Sequence, residues 1–122
     1  MNYEDRVTKE YVEGLLAGCG NCKIAFGYYI GTGEAGAEHP NTLRVNFTPR
    51  MLVIVGQDDN GNYHHLVAVA GEPRCHFIKF YDDQEVCNLT WGDNYVSWYG
   101  ESSWWSQLNQ EGSAYHYVIL GE

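Results

Sequence analysis

Two periodicities divide the chain. From Asp5 to Ala17 apolar residues recur at three- and four-residue spacings, Val7, Tyr11 and Leu15 together with Val12 and Leu16, while Asp5, Arg6, Lys9, Glu10 and Glu13 fill the other faces. That spacing predicts an amphipathic helix with one apolar stripe. Thr8 offers an alternative cap for a shorter helix, and Gly18 and Gly20 stop it in either case. Three to four turns are marginal in isolation, so the stripe needs a partner, either the rest of the chain or copies of itself.

After Gly20 the period changes to two. Lys23–Ile30 reads as a strand, and the stretch Gly31 to Asn41 reads as a loop. Thr42–Phe47 alternates Leu43, Val45 and Phe47 with Arg44 and Asn46, a half-buried strand that Pro49 is expected to break. Met51–Val55 is short and apolar on both faces. Asn60-Gly61 within Gln57–Asn62 marks a hairpin turn, because this pair readily adopts positive φ. Further strands are expected at Tyr63–Ala70, Cys75–Tyr81, Glu85–Trp91, Tyr95–Tyr99 and Tyr115–Leu120, with Ser102–Gln110 irregular or one helical turn. Short strands at this spacing, without a βαβ rhythm or an internal repeat, predict an all-β fold. The expectation is an antiparallel β-sandwich of about six to eight strands, residues 21–122, behind a short N-terminal α-helix in residues 1–20.

Composition agrees with strands. Of 122 residues, 44% are apolar and 15% aromatic, with ten Tyr, four Trp and 14 Gly; rings pack on pleated surfaces and Gly serves tight turns. One domain is expected, with a core large enough to fold. A net charge of −9 with seven scattered Lys and Arg argues against nucleic acid as a partner. No apolar run approaches the roughly 20 residues of a spanning helix, so membrane insertion is not expected. The N-terminus is acidic and lacks the apolar core of a signal peptide. Synthesis in a cytoplasm is therefore expected, with any exit by lysis or by incorporation into a particle, and the four Cys are expected as thiols.

Several motifs suggest chemistry, each with a plainer reading. Cys19-Gly20-Asn21-Cys22 has the spacing of half a zinc site, whose other half would come from Cys75, Cys87 or histidines; no second close cysteine pair exists, and linker thiols are the favoured reading. His64 and His65 are strand neighbours and point to opposite faces, so one is expected to face the core, while His76 and His116 read as packed strand residues. Asp58-Asp59-Asn60-Gly61-Asn62 loosely resembles a calcium loop but lacks its twelfth-position glutamate, and a polar turn explains it. Asn88-Leu89-Thr90 matches a glycosylation sequon that has no meaning without secretion. No nucleophile elbow, P-loop, zinc-protease or dinucleotide motif occurs, and acidic pairs such as Asp82-Asp83 fall in turns, so neither catalysis nor a cofactor is expected.

The densest feature is aromatic: Trp91, Tyr95, Trp98, Tyr99, Trp104, Trp105, Tyr115 and Tyr117. Strand alternation places Tyr95 and Tyr99 on one face and Trp98 on the other. Trp104 and Trp105, flanked by Ser102, Ser103 and Ser106, are hard to bury together. Rings beside hydroxyl and amide groups suit a sugar face, a protein partner or a subunit contact.

These residues carry a family resemblance. VTKEYVEGLL is similar to the short helical segment preceding C-terminal domains of phage tail fibres. Val96-Ser97-Trp98-Tyr99, Gln107-Leu108-Asn109, Gly112 and the closing Tyr115–Gly121 resemble the end of fibre-tip domains from phages and prophages of gut Firmicutes; KIAFGYYIGTGEAG and RMLVIVGQD resemble their opening. A fainter likeness to H-type lectins lies in paired apolar strands, an Asp loop, Thr90-Trp91 and a closing aromatic strand. The fibre resemblance implies a homotrimer on a virion, with Val7, Tyr11, Val12, Leu15 and Leu16 packing around a threefold axis and other virion proteins as neighbours. It implies recognition of a bacterial surface glycan or protein, for which Tyr63, Tyr99, Trp104 and Trp105 are the candidate contacts and Asp58 and Asp59 their polar partners. A structural decoration or head-fibre protein without its own ligand site is the competing expectation.

Overall fold

The computed structural model describes residues 22–79, 83–101, 104 and 106–122. The expected helix, with Cys19 behind it, and Trp105 lie outside the described residues. Among the described residues there are eight strands: β1 (Lys23–Ile30), β2 (Asn41–Arg44), β3 (Pro49–Gln57), β4 (Tyr63–Val69), β5 (Arg74–Lys79), β6 (Asp83–Trp91), β7 (Tyr95–Gly100) and β8 (Ala114–Gly121). They form two four-stranded sheets in the orders β1-β8-β3-β4 and β2-β7-β6-β5, and every described pairing is antiparallel. The described residues are thus all-β, two antiparallel sheets arranged as a β-sandwich, and β8 occupies the middle of the first sheet.

Each sheet turns alternate residues inward. Leu52, Ile54, Leu66, Tyr115 and Ile119 from the first sheet meet Cys87, Leu89, Val96 and Trp98 from the second in one buried cluster, with Phe47 and Leu108 added from loops. Tyr29 bridges the layers, its ring 5.2 Å from Tyr115 and 6.0 Å from Trp98. Its hydroxyl donates to the Leu108 carbonyl at 2.7 Å, and burial holds the phenol pKa well above its ordinary value.

Two local expectations are corrected. Pro49 does not separate two strands; it opens β3, and a register shift between Pro49 and Met51 accommodates the residue that lacks an N–H. The strand expected to run to Phe47 ends at Arg44, after which Val45 donates its N–H to the Asn94 carbonyl. The hairpin turn forms as expected, with Gly61 at φ +83° and its N–H on the Asp58 carbonyl.

The segment read as irregular becomes an internal clasp. Gln107 is fully buried, and its carboxamide accepts from the N–H groups of Gly36 (3.0 Å) and Gly100 (3.1 Å) while donating to the His39 carbonyl (2.6 Å) and Asn41 Oδ1 (3.2 Å). Asn109 similarly accepts from Thr32 N–H and donates to Thr32 Oγ1 and the Glu34 carbonyl. Two polar side chains thereby hold the long loop 31–40 against the sandwich, pairing main-chain groups of the loop and of Gly100.

Candidate functional site

The β3–β4 hairpin tip is tied down from within. Asp58 Oδ1 accepts the N–H groups of Asn60 and Asn62, each at 2.9 Å, and Oδ2 lies 2.9 Å from His64 Nε2. With the side chain only 8% exposed, the His64 hydrogen bond and the two backbone donors hold this carboxylate well below the usual range, at about 2. The His64 ring meets Trp104 edge-on at 6.3 Å between centroids. Gln110 Oε1 accepts the Asp59 N–H at 3.0 Å and the Ser113 hydroxyl at 2.9 Å. The hairpin tip, the Trp104 ring and Gln110 therefore meet in one rim.

The residues expected to form one ligand site are distributed. Asp58 and Trp104 meet through His64, and Asp59 stands exposed beside them. Tyr63, 72% exposed, starts β4 and faces the opposite way from His64, next to Val55, Gln57, Ala114 and His116 in a shallow depression. Tyr99 pairs with Asn88 on β6 and faces outward from the other sheet, away from this rim. The aromatic strand around it is largely structural: Trp98 is buried, and its indole N–H donates to the Gln107 carbonyl. His116, expected to be packed, is exposed on the outer face of β8 with its ring 5.8 Å from Tyr28. Cys22 is exposed and Cys87 lies in the core; among the described residues no three His, Cys, Asp or Glu side chains converge as metal ligands.

A second feature escaped the reading of motifs. The outer face of the β1-β8-β3-β4 sheet consists of four rows across four strands. One row is Phe26, Val118, Val53 and Val67; the next is Tyr28, His116, Val55 and His65. Ile24, Leu120, Met51 and Val69 flank them on one side, and Ile30, Ala114, Gln57 and Tyr63 on the other. None of these sixteen positions holds Asp, Glu, Lys or Arg, in a chain carrying 16 acids and a net charge of −9. Nine of the side chains on this face are exposed apolar or aromatic groups, from 36% at Val118 to 77% at Phe26. The outer face of the second sheet is built differently: Thr42 donates to Ser97 at 3.1 Å, Arg44 lies over the Tyr95 ring at 5.6 Å, and Asn88 reaches Glu101 at 3.1 Å. At its described positions that face carries polar and charged partners that the first face lacks.

The signal for the apolar face was present in the strand sequences. β1 and β3 carry apolar residues at both parities, where a strand with one solvated face alternates apolar with polar. No protein-family model, curated protein or solved structure matches the chain.

Proposed function

We propose that this chain is a receptor-binding domain of a phage-type fibre, working as a homotrimer on a virion and recognising a bacterial surface glycan or protein. The observation that carries the reading is the ordered rim: Asp58, bound to His64 and two backbone N–H groups, locks the hairpin tip beside Trp104 while Asp59 and Tyr63 remain exposed. A rim ordered before binding loses little entropy on contact, and rings next to carboxylate and amide groups suit sugars or a polar protein loop. The resemblance of the helical segment and the closing strands to fibre tips supports the particle context, with the helix Asp5–Ala17 on the threefold axis and other virion proteins beyond it. No catalytic role is included.

A second reading, a decoration protein without its own ligand, draws on Tyr63. It sits at the corner of the apolar face, where a neighbouring copy would cover it.

The test uses the full chain on an array of wall polysaccharides and peptidoglycan from Gram-positive bacteria, beside its mass by light scattering. Saturable binding that weakens at least tenfold in Trp104→Ala and Asp59→Ala, with unchanged thermal unfolding, supports the receptor reading. A trimer that binds nothing on the array moves the assignment to the decoration reading.

A further inference from the structure

We infer that the outer face of the β1-β8-β3-β4 sheet is an interface between copies of this chain. The inference goes beyond the fibre reading and stands without it.

Area comes first. Nine side chains exposed by 36–77% present on the order of 1,000 Å² of accessible apolar surface, against about 300–600 Å² for the largest patch of a typical monomer and about 800 Å² per partner in a standard interface. The row of Phe26, Val118, Val53 and Val67 runs from the edge strand β1 to the opposite edge strand β4 and is apolar across the whole sheet width.

The face is also wider than a single helix of the kind that the sequence predicts before β1 would cover. Residues 5–17 are the one stretch whose sequence carries a helical apolar stripe. A helix is about 10 Å across, whereas four strands at about 4.8 Å spacing span roughly 19 Å. One such helix leaves about half of the face in water.

Charge selects the partner. Two copies approaching each other bring −9 toward −9, and this face holds no acid on any of its sixteen outward positions, its titratable groups being His65, His116, Tyr28 and Tyr63. Contact here lets like-charged molecules meet with their acids turned away. The sheet-on-sheet packing that builds the interior of the sandwich serves equally between copies.

The experiment is sedimentation equilibrium of the full chain and two variants. Phe26→Asp with Val69→Asp places charge on the face; Ile24→Thr with Val69→Thr keeps β-branched shape and removes methyl groups, should the charged pair fail to fold. All these side chains point away from the core, so thermal unfolding of the monomer serves as the folding control. The expected result is a wild-type oligomer that becomes monomeric with the Asp pair and dissociates at least tenfold more readily with the Thr pair. A monomeric wild type overturns the inference, as does an oligomer unmoved by either variant. A dimer that responds to the substitutions supports the interface and removes the threefold fibre arrangement; a trimer that ignores them removes the interface and leaves the helix-centred fibre arrangement standing.

Discussion

The indole N–H of Trp98 donates to the main-chain carbonyl of Gln107 across 2.9 Å, with both residues fully buried. This bond joins β7 to the segment that follows it and sets the Gln107 side chain among four main-chain and side-chain partners. The Gln107-Leu108-Asn109 stretch is therefore held by the core face of β7, with Trp98 as its anchor.

Gln107→Ala is expected to destabilise the domain by about 2 kcal/mol, since the buried N–H of Gly100 and the half-buried N–H of Gly36 lose their acceptor and an orphaned buried group costs about 1–3 kcal/mol. Gln107→Glu should not rescue it, because the carboxylate faces the His39 carbonyl and Asn41 Oδ1 where an NH₂ group stood. Urea unfolding checks both; a Glu variant as stable as the parent would show that the carboxamide donors contribute nothing.

Leu108 is fully buried and, among the described residues, the only non-glycine with positive φ, at 55°. A left-handed backbone costs an L-residue about 1–2 kcal/mol, which glycine avoids. Leu108→Ala is expected to lose about 3 kcal/mol of stability to the vacated core site. Leu108→Gly, although smaller, should be no less stable than the Ala variant. A Gly variant clearly below Ala in unfolding midpoint would mean that the left-handed turn carries no strain.

Asp58 makes the fold acid-sensitive in a defined window. Its pKa falls from the ordinary 3.8 to about 2, chiefly through the His64 hydrogen bond, so its stabilising contribution is complete above pH 4 and is lost as pH drops toward 2. Asp58→Asn should lower the thermal midpoint at pH 7 and flatten its decline between pH 4 and 2. Parallel decline in parent and variant would assign the acid response to other carboxylates.

Gly56 lies opposite Tyr115, and a Cβ there would run into the Tyr115 ring. That ring is buried and stacked on Tyr29, so it has no room to yield. Gly56→Ala should cost about 2–3 kcal/mol as overpacking, measured by denaturant unfolding, and an Ala variant at parental stability would place the ring elsewhere.

The alternation of the chain by itself determined the all-β class, the antiparallel hairpins and most strand positions. β1 begins and ends where the period-two pattern does, and Asn60-Gly61 located its turn, because side-chain period and turn geometry are local properties. The same pattern placed Tyr95 and Tyr99 on one face and Trp98 on the other, as observed. Only the tertiary structure decided which strands became neighbours. Placing β8 between β1 and β3 gathered apolar residues from four separated segments into one outward face, and sent Tyr99 to the far sheet from Tyr63. It also turned Gln107 and Asn109, polar residues in an irregular stretch, into buried hinges of a loop some seventy positions earlier. Such outcomes depend on contacts between distant parts of the chain, where the partner of a side chain is set by sheet order rather than by its own neighbours in sequence.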